Sequence, residues 1–589
     1  MQTFDLKQLR LLDGPCKDAQ ESCRRYLHAL DSDRMLRNYR VNAGLDAPGE
    51  PLGGWERPDI EVRGNFVAHY LTACALMYAA VGDKELKAKA DSIVAELAKC
   101  QAALGGGYLM AFPNTFFDRL ESMENVPWAS YYIVHKMMAG LLDMYTICSN
   151  KQALQVLEGM VGYFAGRMAK LSGHRIDQIL TVEHGGIIET LYDAYAVTGD
   201  KKYLDLGRKY EYSAFLGPLA IEHDNLTKLH ANTHIPIICG AARYYEITGD
   251  ERYRAIVRYF WDRAVTHRTY ATGGCTVHER WPEPDKLADT LNWNNQECCK
   301  TYNLLRVTRY LMRWTADPAY ADFYERAFVN GILGTQDVES GQMMYYVPLA
   351  TGYAKWFGSP NDTFWCCYGT GVESFAKLAD SIYFHDDEGL YVNLFIASEL
   401  NWTERGVRVE QLTGFPNEER TSLVIHTSKP QEMPIHIHIP YWAKRGVKIR
   451  VNGEKQDVAA KPTSYATIER TWSDGDRVEV DLPMSLHLQA MPDDPNLAAI
   501  MYGPLVLAGI LDPGEGHETR FTDDKQDKFA KTDYTEPIRL TGPMDNLDSW
   551  IKPTGAPVTF TTTGQETAIT LIPLNRVANQ RYGVYWRMG

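Results

Sequence analysis

Apolar residues recur at three- and four-residue spacing through about the first 380 residues of the chain. This spacing puts them on one face of a helix, so we predict a largely helical region. The clearest predicted helices are 67–83, 131–150, 186–200, 235–250 and 302–318.

The predicted helices end in related turns. A glycine suits the left-handed position that ends a helix, and the Asp or Asn after it caps the next helix. The capping residues are Asp83, Asn150, Asp200, Asp250 and Asp317, at steps of 50 to 67 residues. Hairpins of this size must stack to bury their apolar faces, and the uneven steps favour a closed helical toroid over an open solenoid.

The pattern changes after about Asp386, where apolar and polar residues alternate and β-branched residues are frequent. This alternation predicts strands, and turn signals such as Asn452-Gly453 separate them at intervals typical of sandwiches. We therefore predict a multidomain α + β protein. Its domains are a helical domain over residues 1–384, a β-sandwich over 385–488 and a C-terminal β-sandwich over 489–589, with the first ~15 residues pairing with a β domain.

The composition is that of a globular protein, with 45% hydrophobic and 23% charged residues. A net charge of −14 argues against non-specific nucleic-acid binding and against docking on anionic membranes. No apolar run approaches the ~20 residues that span a bilayer. The start of the chain has no signal-peptide pattern, so we expect a cytoplasmic protein; a periplasmic location stays open if a native signal peptide is missing from this sequence.

Eleven cysteines, none after Cys367, argue against a disulfide framework in so long a chain. Two clusters stand out, Glu297-Cys298-Cys299 and Cys366-Cys367. Because adjacent side chains diverge on a strand, we expect the Gly-x-Gly that follows the second pair to form an irregular turn. Three thiolates and one carboxylate are a plausible tetrahedral zinc set. Buried small apolar side chains remain the alternative, and a vicinal disulfide is disfavoured.

Other polar residues are candidates for chemistry. Glu279 is a candidate general acid or base, although the sequence alone favours a surface glutamate paired with Arg280. Several histidines fall near corresponding ends of successive hairpins, where a toroid forms a cup suited to a small polyol or sugar. The candidate cup residues are His69, His135, His184, His230, His234 and Trp128.

The segments RLLDGPCKDAQ, HANTHIP, ECCKTYNLLRVTR and FWCCYGTGVES occur in this order along the chain. Together they resemble the β-L-arabinofuranosidases of glycoside hydrolase families 127 and 146. The resemblance implies an (α/α)6 barrel followed by two β-sandwich, jelly-roll-like domains. It also implies a retaining exo-glycosidase that releases L-arabinose from plant-derived glycans or glycopeptides, with a zinc ion as cofactor.

Carried over by position, the resemblance assigns the metal ligands to Glu297, Cys299, Cys366 and Cys367 and the nucleophile to Cys366. It implies that Glu279 is the acid/base. His135, His184 and His230 match, more loosely, histidines that hold the sugar. Cys298 is an extra thiol, and we expect it to point elsewhere.

Several alternatives stay open. The substrate is a small sugar or oligosaccharide, and other furanosides, including a branched acidic sugar from pectin, compete with arabinose. A non-hydrolytic sugar-binding or epimerase-like toroid with a structural zinc is the rival hypothesis, because fold alone does not decide function. Attack by a zinc-bound water ranks lowest, since four ligands already fill a tetrahedral site. The β domains bury a barrel face, shape the cleft or support a homodimer.

Overall fold

A computed structural model describes residues 1–512 and 536–589. The region before residue 380 contains sixteen α-helices among these described residues. They are α1 (Pro15–Ala29), α2 (Ser32–Asn42), α3 (Asn65–Val81), α4 (Lys84–Leu104), α5 (Thr115–Ser122), α6 (Ser130–Thr146), α7 (Lys151–Met168), α8 (Gly173–Ile179), α9 (Ile187–Thr198), α10 (Lys201–Lys209), α11 (Ser213–Ala220), α12 (Ala231–Thr248), α13 (Glu251–Trp261), α14 (Cys298–Thr315), α15 (Pro318–Ala327) and α16 (Cys366–Ala376).

Six of these helices form a closed inner ring. Each packs on the next in the order α3, α6, α9, α12, α14 and α16, and α16 returns to α3. Six others cover the ring from outside, with α4, α7, α10, α13, α15 and α1 packed on the inner helices in the same order. The inner helices are buried over most of their surface because they contact both the outer helices and the barrel interior. The predicted (α/α)6 barrel is confirmed.

The turns inside the hairpins have the predicted chemistry. Gly82 ends α3 in the left-handed region at φ 74°, and the Asp83 carboxylate then accepts a hydrogen bond from the Leu86 amide at the start of α4. The predicted capping residues of the later hairpins hold the same position. They are Asn150, Asp200, Asp250 and Asp317.

In the described chain, two strands precede the helices of the barrel and the other strands follow them. They are β1 (Gln2–Thr3), β2 (Leu9–Leu11), β3 (Tyr383–His385), β4 (Leu390–Val392), β5 (Ser398–Trp402), β6 (Val407–Thr413), β7 (Arg420–Thr427), β8 (Gln431–Ile439), β9 (Lys448–Val451), β10 (Glu454–Lys455), β11 (Ser464–Trp472), β12 (Arg477–Asp481), β13 (Leu486–Met491), β14 (Asp494–Tyr502), β15 (Leu505–Asp512), β16 (Arg539–Leu540), β17 (Ile551–Pro553), β18 (Phe560–Thr562), β19 (Thr570–Pro573), β20 (Arg581–Gly583) and β21 (Tyr585–Met588).

Two sheets form the middle of the chain. One has the strand order β1-β3-β4-β8-β11, and the other has the order β10-β9-β12-β7-β6-β5-β2. The N-terminal strands therefore join this module, β1 antiparallel to β3 and β2 antiparallel to β5. The C-terminal strands form a nine-stranded sheet along β16-β21-β14-β15-β19-β18-β17, with β13 on β14 and β20 on β15. Residues 513–535 of the predicted third domain lie outside the described residues.

Within residues 1–512 and 536–589, no helix combines the length and the apolar character needed to cross a membrane.

Candidate metal and catalytic site

The two cysteine clusters meet because two inner helices begin at the same place. Glu297 immediately precedes α14 and Cys299 is its second residue, while Cys366 and Cys367 open α16. The N-terminus of a helix carries a partial positive charge, which favours thiolates and carboxylates there. Both helix starts are thus suited to anionic side chains.

The glycines after Cys367 lie inside α16, so the predicted Gly-x-Gly turn is wrong. Their role is close packing. A Cβ atom added to Gly369 would lie 2.2 Å from Cδ2 of His69, and one added to Gly371 would lie 2.8 Å from Cγ of Met343. Only residues without a side chain let the start of α16 approach these neighbours.

The ligand atoms of Glu297, Cys299, Cys366 and Cys367 all lie within 4.8 Å of one another, and all four residues are buried. Oε1 of Glu297 is 3.5 Å from Sγ of Cys367 and 3.9 Å from Sγ of Cys366. The two adjacent sulfur atoms are 4.0 Å apart. This group can hold a metal ion, which binds through deprotonated thiols and carboxylates.

The charges of the cluster are unevenly distributed. Burial opposes ionisation of Cys366, but hydrogen bonds from the thiols of Cys299 and Cys367 hold the pKa of Cys366 well below its usual range. Burial raises the pKa of Glu297 to about 7. Nζ of Lys300, one turn further along α14, is 2.9 Å from Oε2 of Glu297 and supplies the nearest positive charge.

The thiol of Cys298 is not among the four clustered ligand atoms. The backbone amide of Cys298 donates to the carbonyl of Tyr345 at 2.9 Å, and its thiol is hydrogen-bonded to Thr335. Lys355 is a further charged neighbour of this thiol.

Glu279 lies beside the cluster and is hydrogen-bonded on both carboxylate oxygens. The hydroxyls of Tyr345 and Tyr346 donate to Oε1 at 2.6 and 2.8 Å, and Nε2 of His230 is 3.2 Å from Oε2. Burial raises the pKa of Glu279, but the hydrogen bonds with His230 and Tyr345 and the charge of Lys300 together lower it to about 2. Arg280 instead donates to the carbonyl of Lys228, so the alternative of a surface Glu279–Arg280 pair is wrong.

Tyr345 also links Glu279 to Cys366. Its hydroxyl is 3.7 Å from Sγ of Cys366 and 2.6 Å from Oε1 of Glu279. The sulfur and this carboxylate oxygen are therefore no further apart than about 6.3 Å, the sum of the two contacts.

His69 and His135 lie in the barrel interior next to the cluster. Nδ1 of His69 is 2.6 Å from Oε1 of Glu373, and its Nε2 is 2.9 Å from the hydroxyl of Tyr132. Nδ1 of His135 accepts a hydrogen bond from the amide of Gly186 at 3.0 Å. His135 also lines a small cavity that Cys299 borders.

His184 and His234 lie in a different group. The His184 ring is fully buried, with Nδ1 3.2 Å from the carbonyl of Val182 and the ring 6.0 Å from that of Tyr212. The His234 ring packs against Phe215 at 4.5 Å. The structure does not bring these two side chains to the cysteine cluster.

Trp128 lies just before α6, and 44% of it is exposed. Its ring packs edge-on against Trp55 at 4.7 Å, and the Trp55 ring is 6.4 Å from that of Tyr345. Trp128 is thus connected to Glu279 through two other aromatic rings.

Residues 8–380 match the β-L-arabinofuranosidase GH127 catalytic domain, and residues 389–484 match the GH127 middle domain. The chain belongs to the GH127 β-L-arabinofuranosidase family. It is therefore a glycoside hydrolase. Residues 487–588 match a domain of unknown function, DUF4986.

Relatives of this GH127 protein extend over most of the chain. A non-reducing end β-L-arabinofuranosidase from Bifidobacterium longum is 22% identical over 556 residues, which cover 82% of this chain and 80% of the relative. A crystal structure of a GH127 β-L-arabinofuranosidase from Geobacillus stearothermophilus T6 has a TM-score of 0.74 at 19% identity, covering 99% of this chain and 100% of the other. A second solved GH127 β-arabinofuranosidase has a TM-score of 0.77 at 18% identity, covering 100% and 98%.

Several residues of this GH127 site were missed by the sequence reasoning. Lys300 lies three residues after Glu297, a helical spacing that brings opposite charges together and was available as a signal. Tyr345 and Tyr346 are adjacent aromatic residues in a loop without periodicity, and nothing in the sequence links them to Glu279. Glu183 is a further missed residue. Burial and the nearby charges of Cys366 and Glu279 raise its pKa to about 7, although the charge of His230 opposes this.

The C-terminal sheet holds the loop that carries these tyrosines. The amide of Gly352 donates to the carbonyl of Tyr582 at 2.8 Å, and the Tyr582 hydroxyl donates to the carbonyl of Pro348 at 2.8 Å. Lys355 is buried and donates to the carbonyl oxygens of Gly334 at 2.6 Å and Leu574 at 2.8 Å. The domain of unknown function in this GH127 protein therefore fixes one wall of the site.

Proposed function

We propose that this chain is a retaining exo-β-L-arabinofuranosidase that releases L-arabinose from plant-derived glycans or glycopeptides. Cys366 is the nucleophile and Glu279 is the acid/base. Catalysis belongs to residues 1–384, and the β domains over 385–488 and 489–589 support the barrel and its loops.

The distance between Cys366 and Glu279 carries this proposal. Retaining glycosidases place their two reacting groups about 5–5.5 Å apart, whereas inverting enzymes leave about 6.5–9.5 Å for a water molecule. The upper limit of about 6.3 Å from Sγ of Cys366 to Oε1 of Glu279 lies below the inverting range. It favours direct attack by the sulfur.

We assign zinc to the cluster of Glu297, Cys299, Cys366 and Cys367. A tetrahedral zinc ion with bonds of about 2.3 Å to sulfur and about 2.0 Å to oxygen places sulfur atoms about 3.8 Å apart and sulfur and oxygen about 3.5 Å apart. The observed sulfur–sulfur distance is 4.0 Å and the observed sulfur–oxygen distances are 3.9 and 3.5 Å, within about 0.4 Å of these edges. Bound zinc supplies positive charge that keeps the thiols ionised near neutral pH.

The first step forms a bond between Sγ of Cys366 and the anomeric carbon as the bond from that carbon to the leaving oxygen breaks. The leaving oxygen takes its proton from Glu279. Burial lowers the pKa of His230, but its hydrogen bond with Glu279 and the charges of Glu183, Glu297 and Glu279 together raise it, so His230 is the neighbour that supplies Glu279 with a proton. That proton moves across the 3.2 Å contact to Oε2.

The second step reverses these roles. A water molecule gives its proton to Glu279 and attacks the anomeric carbon, and the carbon–sulfur bond breaks with its electrons returning to Cys366. Two displacements on opposite faces leave the configuration of the sugar unchanged. His135 lines a cavity that the metal ligand Cys299 borders, and we assign it, with His230, to holding the sugar hydroxyls.

The charges around the site favour a neutral sugar. Glu183, Glu279 and Glu297 all neighbour Cys366 electrostatically, whereas Lys300 is already paired with Glu297. A carboxylated furanose from pectin would be repelled by this arrangement. The non-hydrolytic alternative leaves the contacts from Glu279 to two tyrosines and His230 without a catalytic purpose.

The test uses para-nitrophenyl β-L-arabinofuranoside and compares Cys366→Ala with Cys298→Ala, a matched change at a buried thiol that is not among the clustered ligands. We expect no turnover for Cys366→Ala and near-wild-type turnover for Cys298→Ala. Proton NMR of the first product should show the β anomer. Elemental analysis should find one zinc per chain, reduced in Cys299→Ala.

Two results would contradict the proposal. Turnover by Cys366→Ala at the wild-type rate would exclude the sulfur nucleophile. An α anomer as the first product would require an odd number of displacements and a water molecule as the direct attacking group.

A further inference from the structure

A chain of aromatic rings leads from Glu279 to the protein surface. The Tyr345 hydroxyl contacts Glu279 at 2.6 Å, and the ring of Tyr345 faces Trp55 at 6.4 Å. Trp55 packs against Trp128 at 4.7 Å with an interplanar angle of 77°. The last ring in the chain is 44% exposed.

Single exposed apolar side chains are common and need no explanation by themselves. Trp128 differs because it is the one aromatic residue among the large apolar side chains that are exposed in the described ranges. The exposed aliphatic and methionine side chains there are Val41, Leu45, Val197, Ile221, Val338, Leu412 and Met544. Only Trp128 in this set continues an aromatic chain that reaches the catalytic carboxylate.

Both tryptophans are held firmly by backbone contacts. The amide of Trp55 donates at 2.9 Å to the carbonyl of Thr363, three residues before Cys366. The amide of Trp128 donates at 2.8 Å to Oε2 of Glu61, whose other oxygen pairs with Arg119 at 2.9 Å. The backbone at both tryptophans is therefore held in place, and that of Trp55 is tied to the segment that leads to the nucleophile.

The direction of the leaving group follows from the proposed mechanism. The leaving oxygen must come within hydrogen-bond reach of Glu279 to receive its proton. The sugar in the barrel lies against Cys366, so the rest of the substrate must extend from Glu279 toward the solvent. The rings of Tyr345, Trp55 and Trp128 follow this course.

We propose that Trp55 and Trp128 form a binding platform for the sugar unit on the leaving-group side of the scissile bond; this rests on the proposed arabinofuranosidase function. An aromatic face matches the apolar C–H face of a sugar ring. Glu61 and Arg119, with side chains 35% and 36% exposed, lie at the edge of the platform. Their polar groups match the hydroxyl rim of the same ring.

The experiment measures kcat/KM of wild type and Trp128→Ala on two substrates. Methyl β-L-arabinofuranoside has a leaving group too short to reach the platform, and a β-L-arabinofuranosyl disaccharide has one long enough. We expect Trp128→Ala to lose about threefold to tenfold on the disaccharide. The methyl glycoside should be cleaved at the wild-type rate, which also shows that the variant is folded. Leu412→Ala, an exposed apolar residue of the middle domain, is the matched control and should change neither value.

The outcomes separate this inference from the proposed function. If neither substrate is cleaved by the wild type, the proposed function fails. If both are cleaved and the ratio of the two kcat/KM values is unchanged in Trp128→Ala, the platform is refuted. A loss in Trp293→Ala without a loss in Trp128→Ala would place the leaving group beside Trp293, whose ring packs on Tyr346 at 5.6 Å. If Trp128→Ala loses more kcat/KM on arabinosyl hydroxyproline than on the disaccharide, the platform binds a peptide and the sugar is refuted as its occupant.

Discussion

Tyr345 and Tyr346 both donate to Oε1 of Glu279. Removing either hydroxyl should lower kcat/KM by the contribution of one hydrogen bond to a charged group. A hydrogen bond to a charged group contributes about 1.5–3 kcal/mol. If that contribution is needed to place the carboxylate in the transition state, kcat/KM falls between about tenfold and a hundredfold in each Tyr→Phe variant.

The two variants should not be equal. The hydroxyl of Tyr345 is also 3.7 Å from Sγ of Cys366, a contact that Tyr346 lacks among the hydrogen bonds of the described residues. We therefore expect Tyr345→Phe to lose more than Tyr346→Phe. The assay is steady-state hydrolysis of para-nitrophenyl β-L-arabinofuranoside, with zinc content measured on the same preparations. Tyr195→Phe, near the C-terminal end of α9, is the control.

Because the phenol ring remains, each variant keeps its packing, and a loss of activity with unchanged zinc content reports the hydroxyl itself. Activity within twofold of wild type in both variants would show that the tyrosines do not position Glu279. An equal loss in both would show that the contact between Tyr345 and Cys366 has no kinetic effect.

Two further predictions concern packing and the domain contact. Gly369→Ala should lower the thermal midpoint by several degrees and reduce activity, because its Cβ would meet a His69 ring that is held on both nitrogens. Gly166→Ala, inside α7 with open space around it, should keep or slightly raise the midpoint. Equal midpoints for the two variants would refute the packing argument. Burial lowers the pKa of Lys355 to about 7. Between about pH 7 and the usual lysine pKa near 10.4, the unfolded chain therefore binds one more proton than the folded chain. The free energy of unfolding measured in urea should rise with pH across this window. Lys355→Met should remove that rise, and the exposed Lys429→Met should keep it; an unchanged pH dependence in Lys355→Met would contradict the assignment.

The barrel was predictable because its information is local. Apolar spacing defines each helix, and each Gly-Asp or related turn sets where one helix ends and the next begins, as at Gly82 and Asp83. The order of the hairpins then leaves few ways to bury their faces. The function of Gly369 was not predictable in this way, since its neighbour His69 is three hundred positions away in the chain.

In the candidate site, too, residues that local sequence motifs define could be predicted and residues that depend on distant contacts could not. Residues inside a recognisable motif, such as Cys299 and Cys366, were assigned from the resemblance, and the structure places them in one cluster. His184 was assigned from its position near the end of a predicted hairpin and from a looser match to the family. Its ring faces Tyr212. A position near a helix end does not specify the direction of a side chain, so the sequence could not show this. Tyr345 could not be found, since its loop has no periodic pattern and depends on a distant sheet.

The loop that carries Tyr345 is held at more than one place. The start of the inner helix α14 holds it at one point, where the amide of Cys298 donates to the carbonyl of Tyr345. The contacts of Pro348 and Gly352 with Tyr582 tie the loop to a strand of the C-terminal sheet, and Lys355 connects the barrel at Gly334 to the same sheet. The barrel and the C-terminal domain thus both hold the loop whose tyrosine contacts Glu279.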